Sequence, residues 1–160
     1  MDFEKLVNCL ESLIVPELEA RARSLRGGPH FDEVRVTSQH QADRLHAIVI
    51  ACHPKWSTDP CEHLTFTITI CDEKWLSARA DVSWDQIFRT GTSAGYVKPE
   101  GRGRMRKIAT ERDVCSFMED WRILAARFDQ AAAKGHPSAR LLRFLRGAPR
   151  DIEAALRGGK

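Results

Sequence analysis

The stretch Leu64-Thr-Phe-Thr-Ile-Thr-Ile70 alternates large apolar residues with threonine without a single slip. Side chains on a strand point to opposite faces in turn, so such a run has one face for a core and one for water. Three neighbouring runs share the habit. Glu33–Ser38 and His46–Cys52 alternate, and so do Leu76, Ala78, Ala80, Val82 and Trp84 with Ser77, Arg79, Asp81 and Ser83. Half-buried strands joined by about ten residues or fewer predict an antiparallel meander, because parallel strands need longer helical crossovers.

Helical spacing takes over on either side. Phe3, Leu6, Val7, Leu10, Leu13, Ile14, Leu18, Ala22 and Leu25 form one stripe that stops at Gly27-Gly28. Pro16 lies within it and predicts a kink near Val15, or a second segment starting there. Thr110, with Asp113 three positions on, reads as an N-cap in a variant capping box. It opens a stripe of Val114, Phe117, Met118, Trp121, Leu124, Ala125 and Phe128 that ends at Gly135. Two short helical pieces are expected around 139–146 and 150–156. The fold class is therefore α+β: an N-terminal helix, a four-stranded antiparallel meander, and a long C-terminal helix on one sheet face, with short terminal helices. At 160 residues, a single domain over 1–160 is expected. It divides into helix and sheet (1–87), a basic irregular segment (88–107) and a helical part (108–160).

The first five residues carry Asp2 and Glu4 where a secretory leader would be basic, and no run is long and apolar enough to cross a bilayer. These features predict an intracellular, cytoplasmic protein with no membrane partner. Five cysteines are then expected to be reduced thiols rather than a disulfide framework.

The segment from Ala51 to His63 holds two cysteines and two histidines. Cys52 and His53 are adjacent and point to opposite strand faces, so only one of them can join Cys61 and His63. Cys52, Cys61 and His63 make three ligands, whereas a structural zinc wants four. Pro54 and Pro60 punctuate the stretch as a hairpin loop, so no metal and no cofactor are expected.

Gly91-Thr-Ser-Ala-Gly95 fits the G-x-S-x-G pattern, and Asp113, Asp120 or Asp129 followed by His136 keeps the order of a hydrolase triad. The pattern needs a strand before the serine and a helix directly after it. Pro99 and its neighbours favour extended chain there instead. Val97-Lys-Pro-Glu-Gly-Arg-Gly-Arg-Met-Arg106 resembles over ten residues the pyrophosphate loop of the GNAT acetyltransferases. Met105 stands where that family has its second glycine, and no strand follows the next helix. No catalytic residues are assigned; the chain reads as a binding protein before an enzyme, with an enzyme of unknown class as the third reading.

Charge is the remaining signal. The net charge is +3. Residues 1–97 hold 10 Lys/Arg against 14 Asp/Glu, while residues 98–160 hold 15 against 8. Lys98, Arg102, Arg104, Arg106, Lys107 and Arg112 form the densest cluster, with Arg140, Arg143, Arg146 and Arg150 further on. Such a segment suits an acidic protein partner, with Trp56 as an aromatic anchor. The alternative is a nucleic-acid-binding module using residues 98–112. Gly91, Gly95, Gly101 and Gly103 predict a mobile loop, so reversing Arg102, Arg104 and Arg106 is expected to leave stability nearly unchanged. In plan, helix then meander then helix is similar to many bacterial toxin-immunity proteins and to type III secretion chaperones, although the latter are usually acidic. That similarity implies stoichiometric binding to another protein.

Overall fold

A computed structural model describes residues 1–58, 60, 62–85 and 98–137. Helix α1 (Phe3–Arg26) leads into strands β1 (Phe31–Ala42), β2 (Leu45–Pro54), β3 (His63–Asp72) and β4 (Leu76–Asp85). Strands β5 (Lys98–Arg102) and β6 (Arg106–Lys107) follow, and then helix α2 (Glu111–Lys134). The fold is α+β, as the alternation implies. The Gly91–Gly95 motif and the short helices expected after residue 138 lie outside the described residues.

Asp2 caps α1 by accepting from the Lys5 amide at 2.9 Å. The helix is one element from Phe3 to Arg26 with Pro16 inside it. The proline removes one amide donor, yet Ile14, Leu18 and Ala22 on either side of it have no exposed surface. Their burial against the sheet holds the helix through the defect.

Strands β1 to β5 lie in sequence order, each antiparallel to the next. The register lines core residues up in rows across the sheet. Cys52, Leu64 and Trp84 share one row, and Ile50, Phe66 and Val82 the next. Ile48, Ile68 and Ala80 make a third, and His46, Ile70 and Ala78 a fourth. Both helices cover this face. Phe66 meets Trp121 and Phe128 of α2 with ring centres 5.9 and 5.7 Å apart. Arg21 joins the helices, donating to Asp129 at 2.9 Å while its guanidinium sits 5.6 Å from the Trp121 ring centre. The other face carries Thr67, Thr69 and the Arg79–Asp81 pair at 2.7 Å.

The sheet is wider than four strands. Residues 98–102 pair with the end of β4 (Asp81↔Arg102, Trp84↔Lys98), and residues 106–107 pair with its start (Ala78↔Arg106, Ser77↔Lys107). Between them the Gly103 amide donates to the Ala80 carbonyl at 2.9 Å, and beyond them Ile108 donates to Leu76 at 2.8 Å. The stretch read as an irregular basic segment is thus, over 98–108, an interrupted edge strand laid along β4.

Candidate functional site

The edge strand and α2 meet at glycine. A Cβ on Gly101 would stand 2.9 Å from side-chain carbons of both Arg127 and Leu124. One on Gly103 would stand 2.5 Å from the Ala80 carbonyl oxygen and 3.1 Å from Leu124. These glycines permit close approach of a helix to a strand, which corrects the expectation that they make a loose loop. Helix α2 then starts at a fixed point. Thr110 and Asp113 form the capping box, and the Asp113 carboxylate accepts from the Ala109 and Thr110 amides at 2.9 and 2.8 Å. Those two amides, Ala109 first, hold the Asp113 carboxyl below the usual carboxylate range.

Between strand and helix runs a groove of about 210 Å³, walled by Arg102, Arg104 and Arg106 on one side and Asp120, Ile123 and Arg127 on the other. Leu124 and Gly103 also line it. Asp120, Ile123, Leu124 and Arg127 are spaced to share one helix face. A second hollow of about 230 Å³, bounded by Met105, Lys107 and Ser116, shares Arg104 and Arg106 with the first.

The six basic residues singled out in the sequence fare differently here. Arg106 grips Asp120 with two hydrogen bonds, the Nη2–Oδ1 one at 3.1 Å. That pairing raises the Arg106 guanidinium further and lowers the Asp120 carboxyl. Arg106 therefore ties the edge strand to α2, and its reversal is expected to weaken that tie, whereas the sequence alone predicts nearly unchanged stability. Arg102, Arg104, Lys107 and Arg112 are exposed and make no salt bridge with a described residue. Lys98 takes its place in β5 as backbone. Arg127, missed in the sequence because it lies on α2 among ordinary solvent-facing residues, joins this group from across the groove.

Trp56 belongs elsewhere. Its indole N–H donates to the Gly135 carbonyl at 2.8 Å, and its ring centre lies 6.1 Å from that of Trp84. It ties the loop after β2 to the end of α2 with its ring half-buried against the core. The cysteine-histidine stretch also divides. Cys52 is buried on the core face, and burial pushes its thiol up to about 12. His53 and His63 lie on the opposite sheet face with ring centres 5.6 Å apart, and His53 pairs with Asp32 at 2.8 Å. Cys52 and His63 thus cannot converge on one ion; Cys61 lies outside the described residues. His136, the histidine of the triad order, is hydrogen-bonded to the Pro137 carbonyl at 2.9 Å.

A second polar cluster, at the opposite corner, had no signal in the sequence. His46 occupies a core position of β2 and is only 3% exposed. Its Nε2 lies 3.1 Å from the Glu11 carboxylate of α1 and 2.9 Å from Ser38 Oγ of β1, and its Nδ1 lies 3.1 Å from His40 Nδ1. The Ser38 hydroxyl donates to Glu11. A carboxylate can only accept, so Nε2 carries the proton and Nδ1 accepts from His40. Serine beside histidine looks like a nucleophile and its base, but this histidine nitrogen is already protonated toward Glu11. The cluster fastens α1 to the β1–β2 hairpin. Burial is the main cause that lowers the His46 pKa.

Among the described residues no group of three or more His, Cys, Asp or Glu side chains is arranged to hold a metal, and no helix is long and apolar enough to cross a membrane. Comparison with protein-family models, with curated proteins and with solved structures finds no match to this chain.

Proposed function

We propose that this chain is a non-enzymatic binding module that captures an acidic surface of a partner protein, one to one, with the corner formed by β5, β6 and α2. One observation carries the reading. Arg102, Arg104 and Arg127 are exposed together along one groove, with Lys107 exposed in the adjoining hollow and Arg112 exposed in the first turn of α2, and none of them makes a salt bridge to a described carboxylate. Asp120 in the groove wall is already engaged by Arg106, and Asp113 by the helix cap. Cations left open on a rigid frame attract an acidic surface at long range, and arginine forks then hold carboxylates in pairs. Neutralising a partner by occupying its surface, as an immunity protein does, is a mode such a module serves.

A protein partner is favoured over nucleic acid by what lies among the charges. Binding of single strands uses aromatic platforms on which bases stack. The large apolar side chains exposed at this corner, among the described residues, are Met105 and Ile123.

Capture from a lysate of the source cell, followed by calorimetry on the purified pair, tests the reading. A stoichiometry near one is expected, with association that slows as salt rises. The variant Arg102→Glu/Arg104→Glu/Arg127→Glu should bind more than about tenfold more weakly and lose most of that salt dependence. Unchanged affinity in this variant would end the proposal. Tight binding to generic duplex or single-stranded DNA, with log K falling by about 0.9 per phosphate contact against log salt, would replace it with the nucleic-acid reading.

A further inference from the structure

The same groove says more about its occupant than its charge. Among the described residues five large hydrophobic side chains are exposed, and two of them stand at this corner: Ile123 at 60% and Met105 at 46%. Ile123 sits in the groove wall beside Arg127 and above Leu124, which is only 4% exposed and lines the same groove. Met105 lines the adjoining hollow, across Arg104 and Arg106. Isolated exposed apolar residues are ordinary on a protein surface. Here, though, Ile123 lies over Leu124 in a groove walled by Arg102, Arg104 and Arg127, an apolar spot with a charged rim, which is how protein–protein interfaces are built. Isoleucine is also an indifferent helix former, and nothing in the packing of α2 demands it at a solvent-facing position. At about 210 Å³ the groove is smaller than the roughly 300 Å³ at which small-molecule pockets begin. It has room for a side chain.

We infer, building on the acidic-partner reading, that the partner inserts one large apolar side chain into the groove against Ile123 and Leu124. Carboxylates on either side of that residue in the partner's chain then reach Arg102, Arg104 and Arg127. The charges would set the rate of encounter, and the apolar contact would set how long the complex lasts. An acidic segment lacking the apolar residue would be attracted and soon released.

The test is a selection of displayed random peptides on the immobilised full chain, followed by affinity measurements on the selected sequences. The expected consensus is a leucine, isoleucine or phenylalanine flanked closely by aspartate or glutamate. Against such a peptide, Ile123→Ser should weaken binding about tenfold, mostly through faster dissociation and with an unchanged salt slope. Ile123 is largely exposed, so this variant keeps its thermal stability, and an unfolding scan confirms that the loss is in binding. Acidic peptides with no preferred apolar position, or indifference to Ile123→Ser, would overturn the inference and leave the acidic-partner reading standing. Selected peptides without acidic enrichment would overturn both.

Discussion

At the α1 corner, buried His46 is satisfied on both ring nitrogens by Glu11, Ser38 and His40, which themselves reach toward solvent. At the α2 corner, Arg106 and Asp120 close on each other while Arg102, Arg104 and Arg127 point into an open groove. The two corners use side chains of similar polarity and lie at opposite edges of the sheet. What separates them is where the partners come from. A buried ring such as that of His46 draws its hydrogen bonds from within the chain, because water does not reach it. A charge at the rim is satisfied by water at little cost and exchanges that water for a partner's carboxylates. On the function proposed above, the first corner serves stability and the second binding, and substitutions can tell them apart.

The largest effect is expected from the frame of the open corner. Gly103→Val would drive a side chain into the Ala80 carbonyl and Leu124. The edge strand would have to leave β4, at a cost of about 3 kcal/mol in urea denaturation. If stability is unchanged, residues 98–108 are not fixed to the sheet, and the contrast between the corners dissolves. Next comes the closed corner. His46→Ala removes the buried centre of that cluster and should cost about 2 kcal/mol. It has a pH signature as well. The His46 pKa is lowered in the folded chain, so below pH about 6.5 the unfolded chain binds a proton that the folded chain refuses. Stability should fall as the pH drops from that point toward the lowered value, and level off above it. Glu4 and Glu11 of α1 oppose this shift, while His40 of β1 reinforces it. His46→Gln should flatten that part of the profile relative to the parent; an identical slope would show that His46 is not its source.

Arg106 and Asp120 lie between the extremes, since the pair is structural but partly solvated. Arg106→Ala or Asp120→Ala should cost about 1 kcal/mol, and the two losses should not add when combined. The smallest effect on stability belongs to Arg102→Glu/Arg104→Glu/Arg127→Glu, which should unfold within about 0.5 kcal/mol of the parent. A loss like that of Gly103→Val would mean that the open cations also serve the fold.

Much of this architecture could be read directly from period and punctuation. The threonine alternation of Leu64–Ile70 gave β3 its core face, and Thr110 with Asp113 marked the start of α2 to the residue. Both signals are local, and both are written in side chains. The edge strand escaped notice for the opposite reason. Pairing along β4 is made by backbone, and Lys-Pro-Glu-Gly-Arg-Gly-Arg has no apolar alternation to announce it. Its glycines look like looseness until Leu124 and Arg127 are seen pressing on them. Arg127 and Ile123 could not be tied to Arg102 and Arg104, because only the packing of α2 brings together residues so far apart in the sequence. His46 was hidden by its own strand. It continues the alternation in phase with Ile48 and Ile50, and nothing local reveals that Glu11 waits above it to accept its proton.

Cys52 offers an unplanned instrument. The described cysteines span a wide range of accessibility, with Cys115 exposed, Cys9 and Cys71 intermediate, and Cys52 at 0%. A thiol pushed up to about 12 is almost never the reactive thiolate while the domain is closed. Alkylation of Cys52 therefore waits for the sheet and both helices to part, and its rate under native conditions counts complete openings of the domain. Read by mass spectrometry beside the prompt labelling of Cys115, that one sulfur would report the free energy of the whole fold without denaturant, in the parent and in each variant above.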